Sequence, residues 1–532
     1  MPRNNGFQIV TFVIVFFLAI GFLLGLQSPL GRSAQADSGC SYMVFTDGTY
    51  YYGEDCANAK MIFGGPSNLG RVPGTSAWAV LQNTVNLGGN IYVLPGTYVL
   101  TRMLNITAND SVFQGTGNDT IFTEDARTNL GFLITIQGSS VLVNDIEING
   151  NSSQETGGVA ALCLCTRGNG STISHVTILN SWGQGILASA NVVDYSISDN
   201  IITNTGDHGI KIVNTFYGYT NATITGNRIT GFHGFGIGIQ DVVGALIWNN
   251  TLRGTGGSFD EPINIGSSEY IIVSNNISND SFDSGIVVDS HYGNNTQYVT
   301  IEYNLVSNAQ LEGIALVSNG GNLVRNVSII NNVVGNNGLS GSLHAGIFMD
   351  DSLNNTVSGN CVYRNLSSSD QLLGITDWNS SNFDLVSSNN ISGENTPILL
   401  QGQDSVATNN ILNSIFPCVL SQSALKPNPQ FGEQNQTLTV SSAVTSEPGT
   451  IDTKSTDSMS TSISSTSSIE SSNRGLLIRS LTNPKATNSS ANVLVMFFGS
   501  ASGIAATAGG LTSVSVFVSG TILISSVRRK RQ

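Results

Sequence analysis

Ser196-Ile-Ser-Asp-Asn-Ile-Ile-Thr-Asn-Thr-Gly-Asp-His-Gly-Ile-Lys-Ile212 is followed in the next stretch of chain by Ala222-Thr-Ile-Thr-Gly-Asn-Arg-Ile-Thr-Gly-Phe-His-Gly-Phe-Gly-Ile-Gly-Ile239. Both carry an Ile, an Asn three residues on, an apolar residue two further, a polar bend, and then Gly-Ile-x-Ile. The Asn recurs at Asn200, Asn227, Asn250, Asn275, Asn304, Asn332, Asn360, Asn389 and Asn410, at steps of 21 to 29 residues. A repeat of that period on short alternating strands predicts a parallel β-solenoid. A sandwich of short strands would not hold one residue type in register for nine turns.

The repeat also says how a coil is built. In Gly209-Ile-Lys-Ile, Gly236-Ile-Gly-Ile, Gly285-Ile-Val-Val, Gly313-Ile-Ala-Leu and Gly346-Ile-Phe-Met the two apolar residues stand two apart and share one strand face. The residue between them faces outward. One coil cannot bury its apolar row alone, so coils stack at the strand spacing of about 4.8 Å. The bends hold Gly and Asn, which tolerate left-handed backbone angles. An Asn amide both donates and accepts, so stacked Asn side chains can hydrogen-bond from coil to coil.

Charge narrows the function. Residues 70–425 hold 26 Asp/Glu against 9 Lys/Arg, a net of −17 within a chain of −14. An acidic body excludes nucleic acid as a partner. A polyanionic glycan would need a local basic patch or a bridging cation.

The ends read differently from the body. In residues 1–36, Arg3 precedes the apolar run Ile9–Leu26 and Ala34-Gln-Ala36 offers small residues for cleavage: a signal peptide or an uncleaved N-terminal anchor. Residues 37–69 form a Cys-containing preface, with Cys40 and Cys56 as the first disulfide candidate. Cys163 and Cys165 fall two apart on one strand face and are expected as a buried, unbridged pair. Cys361 and Cys418 lie about two coils apart and could staple the carboxyl end. Residues 425–490, rich in Ser and Thr, read as a disordered stalk. Residues 491–527 carry no charge and predict a transmembrane helix, with Arg528-Arg-Lys-Arg531 in the basic tail 528–532. The ensemble predicts a cell-surface protein tethered to a membrane by its carboxyl end, with its bulk outside the cell.

At the front of the body, Ala77-Trp-Ala-Val-Leu-Gln-Asn-Thr-Val85 is an apolar stripe at helical spacing, placed to cap the N-terminal end of the stack. Gly88-Gly-Asn-Ile-Tyr-Val-Leu-Pro-Gly-Thr-Tyr-Val-Leu100 and Val112-Phe-Gln-Gly-Thr-Gly-Asn-Asp-Thr-Ile-Phe122 follow. This opening and the coils after it resemble the pectate-lyase-like right-handed parallel β-helix superfamily over residues 70–424. The resemblance implies an all-β, right-handed parallel β-helix. It does not imply one activity, because the superfamily includes lyases, hydrolases, epimerases, phage tailspikes and non-catalytic surface proteins.

Chemistry on such a body must come from its few clustered charges. Asp207, His208 and Lys211 lie together, with His233 at the matching bend of the next coil; Lys211 is the sole lysine between Lys60 and Lys426. A base, an acid and a cation this close suit proton abstraction beside a carboxylate, or glycosidic cleavage. Turn chemistry alone also favours Asp and His at such bends. Polygalacturonases of the superfamily carry Gly-His-Gly, Arg-Ile-Lys and paired aspartates. This chain is similar only in His233-Gly234 and Ile210-Lys211. Alginate-epimerase-like members carry Asp-Pro-His, and Asp207-His208 has no Pro, so no family role transfers.

A second set is acidic. Asp289 and Asp350 both stand four residues after their coil's Gly, which predicts one outward column with the two about 10 Å apart. Asp283, His291, Glu312, His344 and Asp351 share those coils. Such carboxylates could bind a glycan, hold Ca²⁺ through oxygen ligands, or simply be solvated. Tyr292, Trp378 and Phe216-Tyr-Gly-Tyr219 follow strands, where rings could stack on sugars. No His- or Met-rich metal cluster is present, and no other cofactor is implied. The expected function is binding, with cleavage or epimerisation, of a polysaccharide; the alternative is a non-catalytic adhesin or envelope component.

Overall fold

The computed structural model describes residues 39–412, apart from 67–73, 126–127, 129, 151–159, 166, 190, 255–259, 291–292, 320, 341–343 and 366–368, and apart from the side chains of 215–217. The expected signal, stalk, membrane span and basic tail lie outside the described residues, as does Cys418. Among the described residues no helix is long and apolar enough to cross a membrane.

Each coil is three short strands joined by bends, as in Ser196–Ser198, Ile201–Thr205 and the start of Ile210–Thr225. Each strand pairs in parallel with its counterpart in the next coil: Ile197 with Ile224, Ile202 with Ile229, Ile210 with Ile237. These six isoleucines are wholly buried, which is the period-two expectation realised. Apolar rows from the three ladders merge into one continuous core. The parallel ladders run without a break to Ile391 and Leu412.

The amide ladder forms as the repeat predicts, with one correction. Asn227 Nδ2 donates to Asn250 Oδ1 at 2.9 Å, Asn250 to Asn276 at 3.0 Å and Asn276 to Asn304 at 3.0 Å. The ladder residue of that coil is therefore Asn276, not Asn275. Asn275 is the left-handed bend residue before it, at φ 58°. Two adjacent asparagines suit the two positions equally from sequence, and the register decides between them.

A second bend column is also left-handed. It runs through Asp194, Asn221 and Gly244 to Asn326 and Asn354, all at positive φ. Two of its members are Tyr270 and Tyr298, each at φ 56°, whose exposed rings stack with centroids 5.1 Å apart. Bulky side chains pay for this backbone, and here the ring stack offsets part of that cost.

Before the coils, Tyr42–Thr46, Tyr51–Asp55 and Lys60–Gly64 form an antiparallel meander joined to the parallel sheet through Tyr42 and Ile91. Cys40 and Cys56 are bridged, as expected. Cys163 and Cys165 are also bridged, contrary to the expectation of an unbridged pair; their Cα atoms stand 5.4 Å apart, inside the disulfide range. The helix Ala77–Val85, N-capped by Ser76, packs on the first strands and buries Val80, Leu81 and Val85.

The last coils hold buried acids. Burial pushes Asp384 up to about 7 and Glu394 up to about 8. Raised folded-state values mean the unfolded chain ionises first. The stability these groups contribute is full below about pH 4 and is lost as pH rises through 7 to 8. Thermal unfolding should therefore begin several degrees higher at pH 5 than at pH 8.5. Asp384→Asn with Glu394→Gln should flatten that slope; an unchanged slope would contradict the assignment.

Candidate functional site

The third strand of each coil turns a polar face outward, and the register sorts its side chains into columns. Lys211 aligns with Gly238 and Asn264. Asp289 aligns with Val317, Asp350 and Trp378. Asp289 and Asp350 thus share one column two coils apart, as the spacing predicted.

The first cluster centres on His208. Its ring is buried and stacks on Phe235 at 4.6 Å, with planes 2° apart. The Phe235 backbone N–H donates to His208 Nδ1 at 2.8 Å, which leaves the proton on Nε2. Burial lowers its pKa to about 4, Lys211 adding to the fall and Asp207 opposing it. At neutral pH His208 is thus an uncharged donor through Nε2–H. Asp207 Oδ1 lies 3.3 Å from His208 Nδ1, and Asp207 Oδ2 accepts from Gln184 Nε2 at 2.6 Å.

His233 is locked the other way. Its Nδ1 lies 3.0 Å from the Thr205 carbonyl oxygen, which can only accept. Nδ1 therefore carries the proton, and the exposed ring presents Nε2 as an acceptor. Its backbone N–H bonds the Asp207 carbonyl at 3.1 Å, so the two bends touch. Lys211 has no carboxylate within 4 Å among the described residues. Burial lowers its pKa, with Asp207 opposing.

The second cluster holds residues the sequence reading missed. Glu261 stands in register with Phe235. Asn264 Nδ2 donates to Glu261 Oε2 at 2.7 Å and to Asp289 Oδ2 at 2.9 Å. The two carboxyl oxygens are therefore no more than about 5.6 Å apart. Burial first, then Asp283, raises the pKa of the Glu261 carboxyl well above the usual carboxylate range. Burial raises Asp283 as well. Ser284 Oγ links Asp283 to Glu312 (3.3 and 3.2 Å), and Glu312 Oε1 meets His344 Nδ1 at 2.9 Å.

Toward the carboxyl end the face becomes aromatic. Trp378 is exposed and meets Phe348 edge-on at 5.9 Å, while Asp350 accepts from the Asn379 amide. Tyr292 and His291 lie outside the described residues. Among the described residues no group of three His, Cys, Asp or Glu side chains is placed to hold a metal ion.

The family model described as a right handed beta helix region matches residues 161–329. The fold is the right-handed parallel β-helix. Solved structures agree. The A-module of the Azotobacter vinelandii mannuronan C-5 epimerase AlgE6 is 15% identical, with a TM-score of 0.53 over 63% of this chain and 94% of that one. The AlgE4 A-module is 16% identical, with a TM-score of 0.50 over 62% and 96%. At such identity the likeness concerns the β-helix alone. No curated protein matches the chain.

Proposed function

We propose that the β-helix binds a polysaccharide along this outward face and processes it by proton transfer. The observation that carries the reading is the concentration, on adjacent coils, of a cation with no carboxylate within 4 Å among the described residues, two histidines in opposite tautomers and a buried carboxyl whose pKa is raised. Structural roles alone rarely gather such groups on one face. The two fold neighbours are named as enzymes of mannuronan, a polysaccharide, which supports the substrate class.

In this reading Lys211 offsets negative charge on the glycan or developing in the reaction. His233 Nε2 accepts a proton, and His208 Nε2–H donates a hydrogen bond. Glu261 serves as the general acid toward a leaving oxygen, with the Asp289 carboxyl beside it across the Asn264 amide. Asp350 and Trp378 extend the binding track. The helix Ala77–Val85 covers the front of the coils, and residues 491–527 hold the protein at the cell surface.

The test is a panel of uronate and neutral polysaccharides, read for new chain ends and for inverted C5 centres. Glu261→Gln keeps the size and the bond from Asn264 but removes the proton, so turnover should fall about 100-fold or more. Unchanged turnover in Glu261→Gln would remove that residue from the mechanism. The open face and the backbone bond to His208 Nδ1 favour a second reading, a non-catalytic adhesin. Glycan binding without product would establish it.

A further inference from the structure

We propose that Ser340, His344 and Glu312 form a serine triad that cleaves acyl esters, a second activity separate from the Lys211 and Glu261 clusters. Ser340 Oγ lies 2.9 Å from His344 Nε2, and Glu312 Oε1 lies 2.9 Å from His344 Nδ1. With a carboxylate accepting at Nδ1, that nitrogen carries the proton and Nε2 is left to accept from the Ser340 hydroxyl. This is the order of nucleophile, base and orienting acid that activates a serine. Exposure follows the same order. Ser340 is exposed, whereas the His344 and Glu312 side chains keep only 10% and 18% of their surface. A hydroxyl serving only to satisfy a buried histidine has no need to face solvent; a nucleophile does.

The fold holds the three groups from two coils. The backbone N–H groups of Gly338, Leu339 and Ser340 donate to the carbonyls of Leu311, Ala309 and Gln310 at 2.8, 3.2 and 3.0 Å, which pins the serine turn to the coil that carries Glu312. Gly338 is left-handed at φ 70°, and a Cβ there would stand 3.0 Å from His344 Cβ, so glycine lets the turn close over the base. Ser284 Oγ lies 3.2 Å from the second Glu312 oxygen and steadies it. In the reaction Ser340 Oγ bonds to the ester carbonyl carbon while its proton passes to His344 Nε2. The carbon–oxygen bond to the alcohol then breaks, and His344 returns the proton to the leaving oxygen. Water releases the acid from Ser340 by the same steps, its proton going through His344 back to the serine. The strand that begins at His344 ends at Asp350, on the track assigned to the glycan. The ester is therefore an O-acyl group carried by that glycan; this substrate, unlike the triad, rests on the polysaccharide reading.

The full chain treated with a fluorophosphonate probe should carry a covalent adduct on Ser340, read by mass spectrometry of its peptide. Hydrolysis of 4-nitrophenyl acetate should fall about 100-fold or more in Ser340→Ala. No adduct on Ser340 of the unaltered protein, or equal hydrolysis by the two proteins, would overturn the triad. The substrate is tested by acetate release from O-acetylated uronate and neutral polysaccharides, measured apart from chain ends and C5 inversion. No acetate from any of them, while 4-nitrophenyl acetate is turned over, would overturn the glycan ester and spare the triad. Acetate released without new chain ends or inverted centres would establish the esterase and reject the proton-transfer reading of the other clusters.

Discussion

Asn304→Ala should cost about 3–5 kcal/mol of stability, among the largest effects of any single substitution in the coils. Asn304 Oδ1 accepts from both the backbone N–H and the Nδ2 of Asn276, at 2.9 and 3.0 Å. Its own Nδ2 donates to the Val273 carbonyl and to Asn332 Oδ1, both at 2.9 Å. All of this is buried, with Asn276, Asn304 and Asn332 at 1% exposure or less. Truncation strands donors and acceptors that water cannot reach, and the damage spreads because each amide polarises the next. Asn410 is the control. It closes the described ladder, is only part-buried, and should cost about 1 kcal/mol when cut to Ala. Denaturant unfolding of both variants makes the comparison. Equal losses at the two positions would mean that ladder continuity does not matter.

Lys211→Met should do the opposite to stability while abolishing function. Burial lowers the pKa of this lysine, Asp207 opposes the shift only in part, and among the described residues no carboxylate lies within 4 Å. A thioether of similar length removes the desolvation cost, so the variant should unfold about 1–2 kcal/mol later. Glycan processing should fall at least about 100-fold, because nothing else on the described face supplies a cation there. A variant that loses stability and activity together would reassign Lys211 to a structural role.

The fold was legible because it is written many times. Every coil repeats Ile, Asn and Gly-Ile-x-Ile, so an error in one copy is corrected by its neighbours. The slip from Asn276 to Asn275 occurred where two asparagines adjoin and the period alone cannot choose. The Cys163–Cys165 bridge escaped because an ideal strand holds i and i+2 too far apart, whereas this strand brings their Cα atoms to 5.4 Å.

The site was legible in part. Asp207, His208, Lys211 and His233 come together as their spacing implied, and Asp289 and Asp350 share a column. Glu261 and Asn264 were missed for an identifiable reason. Their coil reads Glu261-Pro-Ile-Asn-Ile265, with Pro262 where other coils carry Gly. Aligning that Pro with Gly209 puts Asn264 in the column of Lys211 and Glu261 in that of His208. The tautomers of His208 and His233 could not be read at all, since each depends on a backbone group brought in by the fold.

The most direct test of the functional account is the structure of the full chain with a bound oligosaccharide from whichever glycan it recognises. The account predicts a sugar chain running along the coils, with Lys211, His233 and Glu261 in contact with consecutive residues and Trp378 near its end. Sugar bound on a different ladder, with those three side chains untouched, would contradict it.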